Sequence, residues 1–148
     1  MFGLLLVLHI LSAIAFTGYA FLIPAIRRSA KTATQLRFVF ENTAKLSWFP
    51  KIGGAALIAT GIGLMMITGM GLTQMWLNVS ILLSLLLVVA IDAFIEPRLK
   101  KVAKLVAASR GDEVPAELSH AMKKIVPLEL AAQLLMIAVI VLMVIKPF

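Results

Sequence analysis

An uncharged stretch of forty residues, 52–91, constrains the fold more than any other feature of this chain. One membrane-spanning helix takes about 20 apolar residues, so the stretch is long enough for two. Two glycines and a short polar pair within residues 69–74 interrupt it and predict a tight turn. With 61% hydrophobic and only 14% charged residues, the chain cannot cover a globular surface with polar groups. The sequence therefore predicts an integral membrane protein and excludes a soluble domain.

Two further apolar stretches complete the pattern. Residues 2–23 contain no lysine, arginine or acidic residue, and residues 125–145 contain only Glu129. We therefore predict an all-α, integral membrane four-helix bundle that forms a single transmembrane domain over residues 1–148. The predicted spans are 2–24, 50–69, 75–96 and 125–146, and the predicted cytoplasmic basic segments are 25–49 and 97–124.

The distribution of basic residues predicts the orientation. Of the 14 lysines and arginines, all but Lys146 fall within residues 24–51 or 96–124, around the two connections that join the first to the second and the third to the fourth span. The positive-inside rule places these segments in the cytoplasm and both termini outside. Because basic residues follow the first span and none precedes it, we expect that span to be retained rather than cleaved as a signal peptide. The net charge of +7 then predicts contact with anionic head groups rather than with nucleic acid.

The two basic segments resemble each other. Residues 21–31 align with residues 94–104 at an offset of 73, and the Phe, Pro, Ala, Lys and paired basic positions match. This similarity predicts two parallel helical-hairpin repeats related by an axis along the membrane normal. Chance similarity between basic, apolar segments is the alternative.

Small residues and leucines indicate how the helices pack. Ala55, Ala59 and Gly63 recur at every fourth position of the second span, a spacing that lets helix backbones approach closely. The leucine-rich run 82–89 is expected to face lipid or a partner chain, which leaves a homo-oligomer or a membrane-protein partner open. Residues 34–48 place Leu36, Val39, Phe40 and Leu46 among polar residues and predict an amphipathic helix at the inner interface.

His9 is the most informative single residue. It lies two turns into the first span, in the outer half of the bilayer, where ionisable side chains are rare and usually functional. One interpretation is a neutral imidazole hydrogen-bonded to a serine, threonine or carbonyl of a neighbouring helix. The other is a cofactor ligand or a proton-transfer group.

Methionines near the depth of His9 extend the second interpretation. Met65, Met66 and Met70 fall at the outer end of the second span and its turn. Thioether and imidazole ligands together suit copper(I), and a His–Met pair also suits haem iron. His9 and Met70 are the candidate metal ligands, and Met65 and Met66 are further candidates for cofactor binding. Ordinary packing is the alternative role for methionine in apolar helices.

Acidic and amide side chains at the cytoplasmic ends of the third and fourth spans form a second candidate site. Its members are Asp92, Glu96, Glu129 and Gln133. The group could relay protons or admit a cation. Ion pairs with nearby basic residues are the structural alternative, and the expected partners are Arg27, Arg98, Lys51 and Lys124.

Two short motifs resemble a known group of proteins. Leu8–Gly18 carries a Leu-His pair with a glycine nine residues after the histidine, and Trp76–Ser80 opens with Trp-Leu. Both are similar to segments of small bacterial four-helix membrane proteins, namely the copper-resistance D-like proteins, the HemJ-type protoporphyrinogen oxidases and their uncharacterised relatives. The resemblance implies a four-helix scaffold in the bacterial inner membrane with His9 as the family-like histidine. Ser80 stands where a HemJ-type enzyme is expected to carry lysine, so an uncharacterised relative is the better match.

Three functions follow as hypotheses. The first is binding of haem b or copper in the outer half of the bilayer through His9, together with a methionine or with His9 of a second copy. The second is a non-catalytic membrane subunit or assembly factor of a larger complex. The third is a small proton-coupled transporter. The chain contains no zinc, phosphate-loop, dinucleotide or catalytic-triad motif, and the sequence assigns no enzymatic activity.

Overall fold

The computed structural model describes residues 1–147, and all the regular secondary structure in that range is helical. Four helical stretches in it are long and apolar enough to cross a membrane, which confirms the predicted all-α four-helix membrane bundle. The elements are α1 (Phe2–Ser29), α2 (Ala33–Lys45), α3 (Trp48–Thr68), α4 (Met75–Val89), a π-helical segment (Ala90–Ile95), α5 (Glu96–Ala108) and α6 (Ala116–Ile145).

The membrane helices form two antiparallel hairpins. In the first, Leu5 near the start of α1 faces Gly63 near the end of α3, and Phe16 faces Gly53. In the second, the Lys146 ammonium just after α6 lies 5.4 Å from the ring centroid of Trp76 at the start of α4. The hairpins join through contacts of α1 with α6 and of α2 with α5.

All the basic side chains except Lys146 lie at one end of this arrangement. The start of α1, the end of α6 and the turn between α3 and α4 lie at the other end. We call the lysine- and arginine-rich end the basic end. The division of charge between the two ends agrees with the sequence pattern. At the basic end, hydrogen bonds hold the α5–α6 loop beside α2.

The helices at the basic end extend further than the predicted spans. α1 continues through the buried Pro24 to Ser29 instead of ending at 24. The third membrane helix runs through the π-helical segment into α5, so it ends at Ala108 rather than near 96. The predicted basic segment 97–124 is therefore mostly helix, interrupted only by a loop over residues 109–115.

The π-helical segment keeps one buried face continuous along the third membrane helix. Eight residues separate Leu87 from Ile95, and a regular α-helix would place them about 80° apart. The wider i→i+5 turns of the segment absorb this difference. Leu87, Ile95, Val102 and Val106 are consequently all buried, and they form a core with residues of α2 and α6.

The α5–α6 loop is fixed against the start of α2. The backbone N–H of Ala33 donates to the Asp112 carbonyl at 3.0 Å, and Arg37 Nη2 donates to the Ser109 carbonyl at 2.9 Å. A hydrogen bond from Thr34 holds the pKa of the Asp112 carboxyl below its usual range. The carboxylate therefore stays charged beside the N-terminus of α2, where negative charge is favourable.

The first hairpin packs through glycines rather than through the predicted alanine stripe. Ala55 and Ala59 are exposed, so the prediction that they face a neighbouring helix is wrong, whereas Gly63, the third member of the predicted stripe, does pack against α1. A Cβ atom on Gly53 would lie 3.3 Å from the Phe16 backbone nitrogen, and one on Gly63 would lie 3.2 Å from a Leu5 methyl group. The close approach follows glycines that are not spaced four apart, because α1 crosses α3 along a different face.

This close approach predicts a packing defect for Gly53→Leu. The new side chain meets the α1 backbone, which cannot move aside as a flexible side chain could, so we expect a loss of about 1–3 kcal/mol in the free energy of unfolding. Unfolding in mixed detergent and sodium dodecyl sulfate micelles, followed by tryptophan fluorescence, measures it. Gly18→Leu is the matched control, since nothing lies within 4 Å of a Cβ at Gly18. Equal stability of the two variants would contradict the proposed contact.

Candidate functional site

His9 lies in the interface between α1 and α3 and is half-buried. Its Nδ1 atom is 2.9 Å from Oγ1 of Thr60, and a Cβ atom on Gly61 would lie 3.3 Å from its Cε1 atom. The lack of a side chain at Gly61 thus provides the space that the imidazole occupies. The hydrogen bond is of the kind that the structural interpretation of His9 predicts, to a hydroxyl group of a neighbouring helix.

The hydrogen bonds of Thr60 favour one tautomer of His9. The Thr60 hydroxyl donates its proton within α3 to the Ala56 carbonyl, at 2.6 Å. A hydroxyl that donates there has no second proton, so it can only accept from His9, and this arrangement corresponds to the tautomer with the proton on Nδ1. Nε2 is then unprotonated and has a lone pair. A histidine held in this way can still act as a ligand, because metal-binding histidines usually donate their other N–H to a second group.

The methionines predicted to accompany His9 lie at different distances from it along α3. Met65 is half-buried one turn beyond Gly61, and Met70 lies in the turn that follows α3. Met66 is five residues beyond Gly61, about 140° round the helix, and its side chain is 78% exposed. Met66 therefore points away from His9, and Met65 is the methionine whose position along α3 is nearest to the imidazole.

Glu129 of the second candidate site is buried at the junction of the two hairpins. It forms an ion pair with the buried Arg27, one of the basic partners expected from the sequence, and a second with Arg28 at 3.2 Å. The Arg27 guanidinium also lies 5.9 Å from the ring centroid of Phe40 in α2. One carboxylate is thus clamped by two guanidinium groups, and three helices meet at this cluster.

Gln133 extends the same junction by one turn of α6, towards the membrane centre. Its Nε2 atom donates to the Ala20 carbonyl of α1 at 3.1 Å. Together with the Arg27–Glu129 pair, this bond aligns α1 antiparallel to α6. Glu129 and Gln133 therefore both contact α1, and both help to hold the two hairpins together.

The other two members of the predicted polar group lie apart from this junction. Glu96 accepts a hydrogen bond from Lys100 one turn along α5, at 2.9 Å, and both side chains are partly or largely exposed. Asp92 lies in the π-helical segment and is exposed. The structure thus divides the four residues into a buried pair on α6 and two accessible carboxylates on the third membrane helix. Among residues 1–147, no group of three or more acidic or histidine side chains could together hold a metal ion.

Sequence reasoning missed two residues of these sites. Thr60 was not singled out, although it is one of only two hydroxyl residues in α3 and the hairpin brings it to the depth of His9. For Arg28, the sequence predicted only a contribution to the positive charge of the first basic segment, and no ion pair. The signal for its role is its position next to Arg27 at the end of a helix that continues past the membrane.

The fold and these sites define a multi-pass helical membrane protein in which buried polar contacts join apolar helices. A model for a family described as predicted integral membrane proteins, DUF2269, matches residues 3–147. The chain belongs to this family, which agrees with the predicted membrane class. No curated protein and no solved structure matches it significantly.

Proposed function

We propose that this protein holds haem b or a copper ion through Nε2 of His9, in the half of the bilayer opposite the basic end. The observation that carries the proposal is the hydrogen bond between His9 and Thr60. It orients the imidazole and leaves Nε2 unprotonated, as a metal ligand requires. Haem iron and copper both accept imidazole nitrogen.

The second ligand distinguishes two forms of this site. Met65 could complete a copper(I) site within one chain, given its position one turn from Gly61. A haem could take His9 from each of two copies, since the neighbouring Leu8 and Ile10 are 45% and 49% exposed on α1. We propose the two-copy arrangement for haem, which makes the protein a homo-oligomer when it is loaded.

The proposed orientation follows from the charge distribution. The basic end lies in the cytoplasm of a bacterial cell, and both termini lie on the outer side of the inner membrane. His9 and the methionines then occupy the outer half of the bilayer.

An absorption spectrum of the detergent-purified protein, recorded with and without dithionite after expression with haem supply, tests the proposal together with copper analysis. We expect a haem band that shifts on reduction, or about one copper per one or two chains. His9→Ala should abolish the bound cofactor. His120→Ala is the matched control, because His120 is exposed at the basic end. Unchanged occupancy in His9→Ala would exclude the proposed ligand.

A second candidate function is a non-catalytic membrane subunit or assembly factor. The observation that favours it is the exposed apolar surface of α1 and α4, including Leu4, Ile14 and Leu85, each more than half exposed. These side chains suit either lipid or the helix of a partner. Gentle cross-linking in membranes tests it: a specific heterologous partner in wild type and in His9→Ala would favour this function. A protein that remains a single species would contradict it.

The proton-coupled transporter has weaker support. Its proton path would use His9 and the carboxylates at the basic end. Glu129 and Gln133 are held by hydrogen bonds to α1, and Glu129 is buried between two arginines. Proteoliposomes with an imposed pH gradient test it directly.

A further inference from the structure

A cavity of about 340 Å³ lies at the basic end, far from His9. It opens between the end of α1, helix α2 and the first half of α6. Its polar lining comes from Arg27, Arg28, Ser119, Lys123 and Glu129, and its apolar lining comes from Ala30, Leu36, Val114, Met122 and Val126. Its volume falls within the range of small-molecule pockets, roughly 300–1,000 Å³.

The cavity carries excess positive charge. Glu129 contributes one negative charge, and Arg27, Arg28 and Lys123 contribute three positive ones. Within residues 1–147, Glu129 is the one carboxylate that forms an ion pair with either arginine, and Lys123 forms none. Each guanidinium has five N–H donors, so bonding to one carboxylate leaves donors for a further anion.

The depth of the cavity matches the head-group layer. Tyr19 donates to the Thr43 carbonyl at 3.3 Å, and Trp48 begins α3, so aromatic side chains mark the membrane boundary at this end. Arg27 lies four residues beyond Ile23, where the apolar stretch 2–23 of α1 ends, so it is roughly 6 Å further from the membrane centre, within the thickness of a head-group layer. The charged lining is therefore placed where the phosphates of the adjacent leaflet lie.

The lining combines charged and apolar side chains, as a phospholipid combines a charged head group with apolar chains. The paired N–H groups of an arginine guanidinium match the spacing of phosphate oxygens. Basic pockets at the cytoplasmic ends of membrane helices are known to bind lipid head groups. The apolar walls beside the charged residues suit the acyl and glycerol carbons, which a free phosphate lacks. We propose that this cavity binds the phosphate group of an anionic phospholipid from the leaflet at the basic end.

Native mass spectrometry of the full chain in detergent tests the proposal. Added palmitoyl-oleoyl phosphatidylglycerol should be retained at one lipid per chain, under conditions where phosphatidylcholine with the same chains is lost. Lys123→Gln should weaken this retention about fivefold, the factor expected for one basic side chain near a lipid surface. The exposed Lys123 contributes little to the core, so the variant should keep the wild-type melting temperature.

Lys124→Gln is the matched control. It removes the same charge from the next position of α6, and Lys124 does not line the cavity. We expect its retention to stay within twofold of wild type. Equal losses in both variants would mean general surface attraction and would overturn the site, as would equal retention of the two lipids. Displacement of phosphatidylglycerol by millimolar inorganic phosphate would overturn the lipid as the source of the phosphate group.

Discussion

Replacement of Glu129 by glutamine is expected to lower the free energy of unfolding by about 3 kcal/mol, the size found when one partner of a buried ion pair is removed. Glutamine has nearly the shape of glutamate, so the loss reports charge rather than packing. Arg27 is buried and would keep its charge without a counterion, since arginine does not deprotonate in proteins. Unfolding in mixed micelles, followed by tryptophan fluorescence, measures the effect.

Two comparisons sharpen this experiment. Glu96→Gln removes an exposed pair with Lys100 on one helix, and its expected cost is at most about 0.5 kcal/mol. The double replacement Arg27→Leu with Glu129→Leu should be closer to wild type than Glu129→Gln, because no unpaired charge remains buried at these positions. If Glu129→Gln and Glu96→Gln have equal stability, the buried cluster does not hold the two hairpins together.

The second large effect concerns Thr60 and depends on the proposed cofactor. Thr60→Val keeps the volume of the side chain but removes the group that accepts the His9 proton. We expect cofactor affinity to fall about 10–100-fold, the usual cost of losing a hydrogen bond that orients a metal-binding histidine. Titration of the purified apoprotein with haem or copper(I) measures the affinity.

Thr68→Val is the matched control for Thr60→Val. Thr68 also donates to a carbonyl one turn earlier in α3, but it is exposed at the end of the helix and away from His9. Thr60→Ser should restore most of the affinity, because it returns the hydroxyl group. Identical affinities of Thr60→Val and Thr68→Val would show that Thr60 does not position the imidazole.

Much of the fold could be predicted because the membrane imposes a simple rule. Uncharged stretches long enough to span the bilayer become helices, so the four spans follow from the positions of charged residues. Helix ends beyond the membrane follow a different rule. Pro24 marked a boundary in the sequence, but α1 continues past it, because the following basic turn packs against Glu129 on α6. That packing depends on a residue 102 positions away.

The candidate sites were predictable one residue at a time but not as pairs. His9 and Glu129 are conspicuous because ionisable side chains are rare in apolar segments. Their partners are ordinary by composition: Thr60 is a small residue in a membrane helix, and Arg28 is one of many basic residues. The alanine stripe failed for a related reason. Spacing alone identifies a face of α3, but the crossing of α1 determines which face is used, and Gly53 and Gly61 lie on it.

The link between Arg27 and Glu129 also orders the events of biosynthesis. The ribosome releases α1 and α3 first, and their glycine-lined contact needs nothing from the rest of the chain. Arg27 meets its carboxylate only after the last helix has entered the membrane, because Glu129 lies on α6. Until then the nascent protein carries an arginine without its counterion. A chain that stops before the final helix therefore lacks the carboxylate that pairs with this arginine.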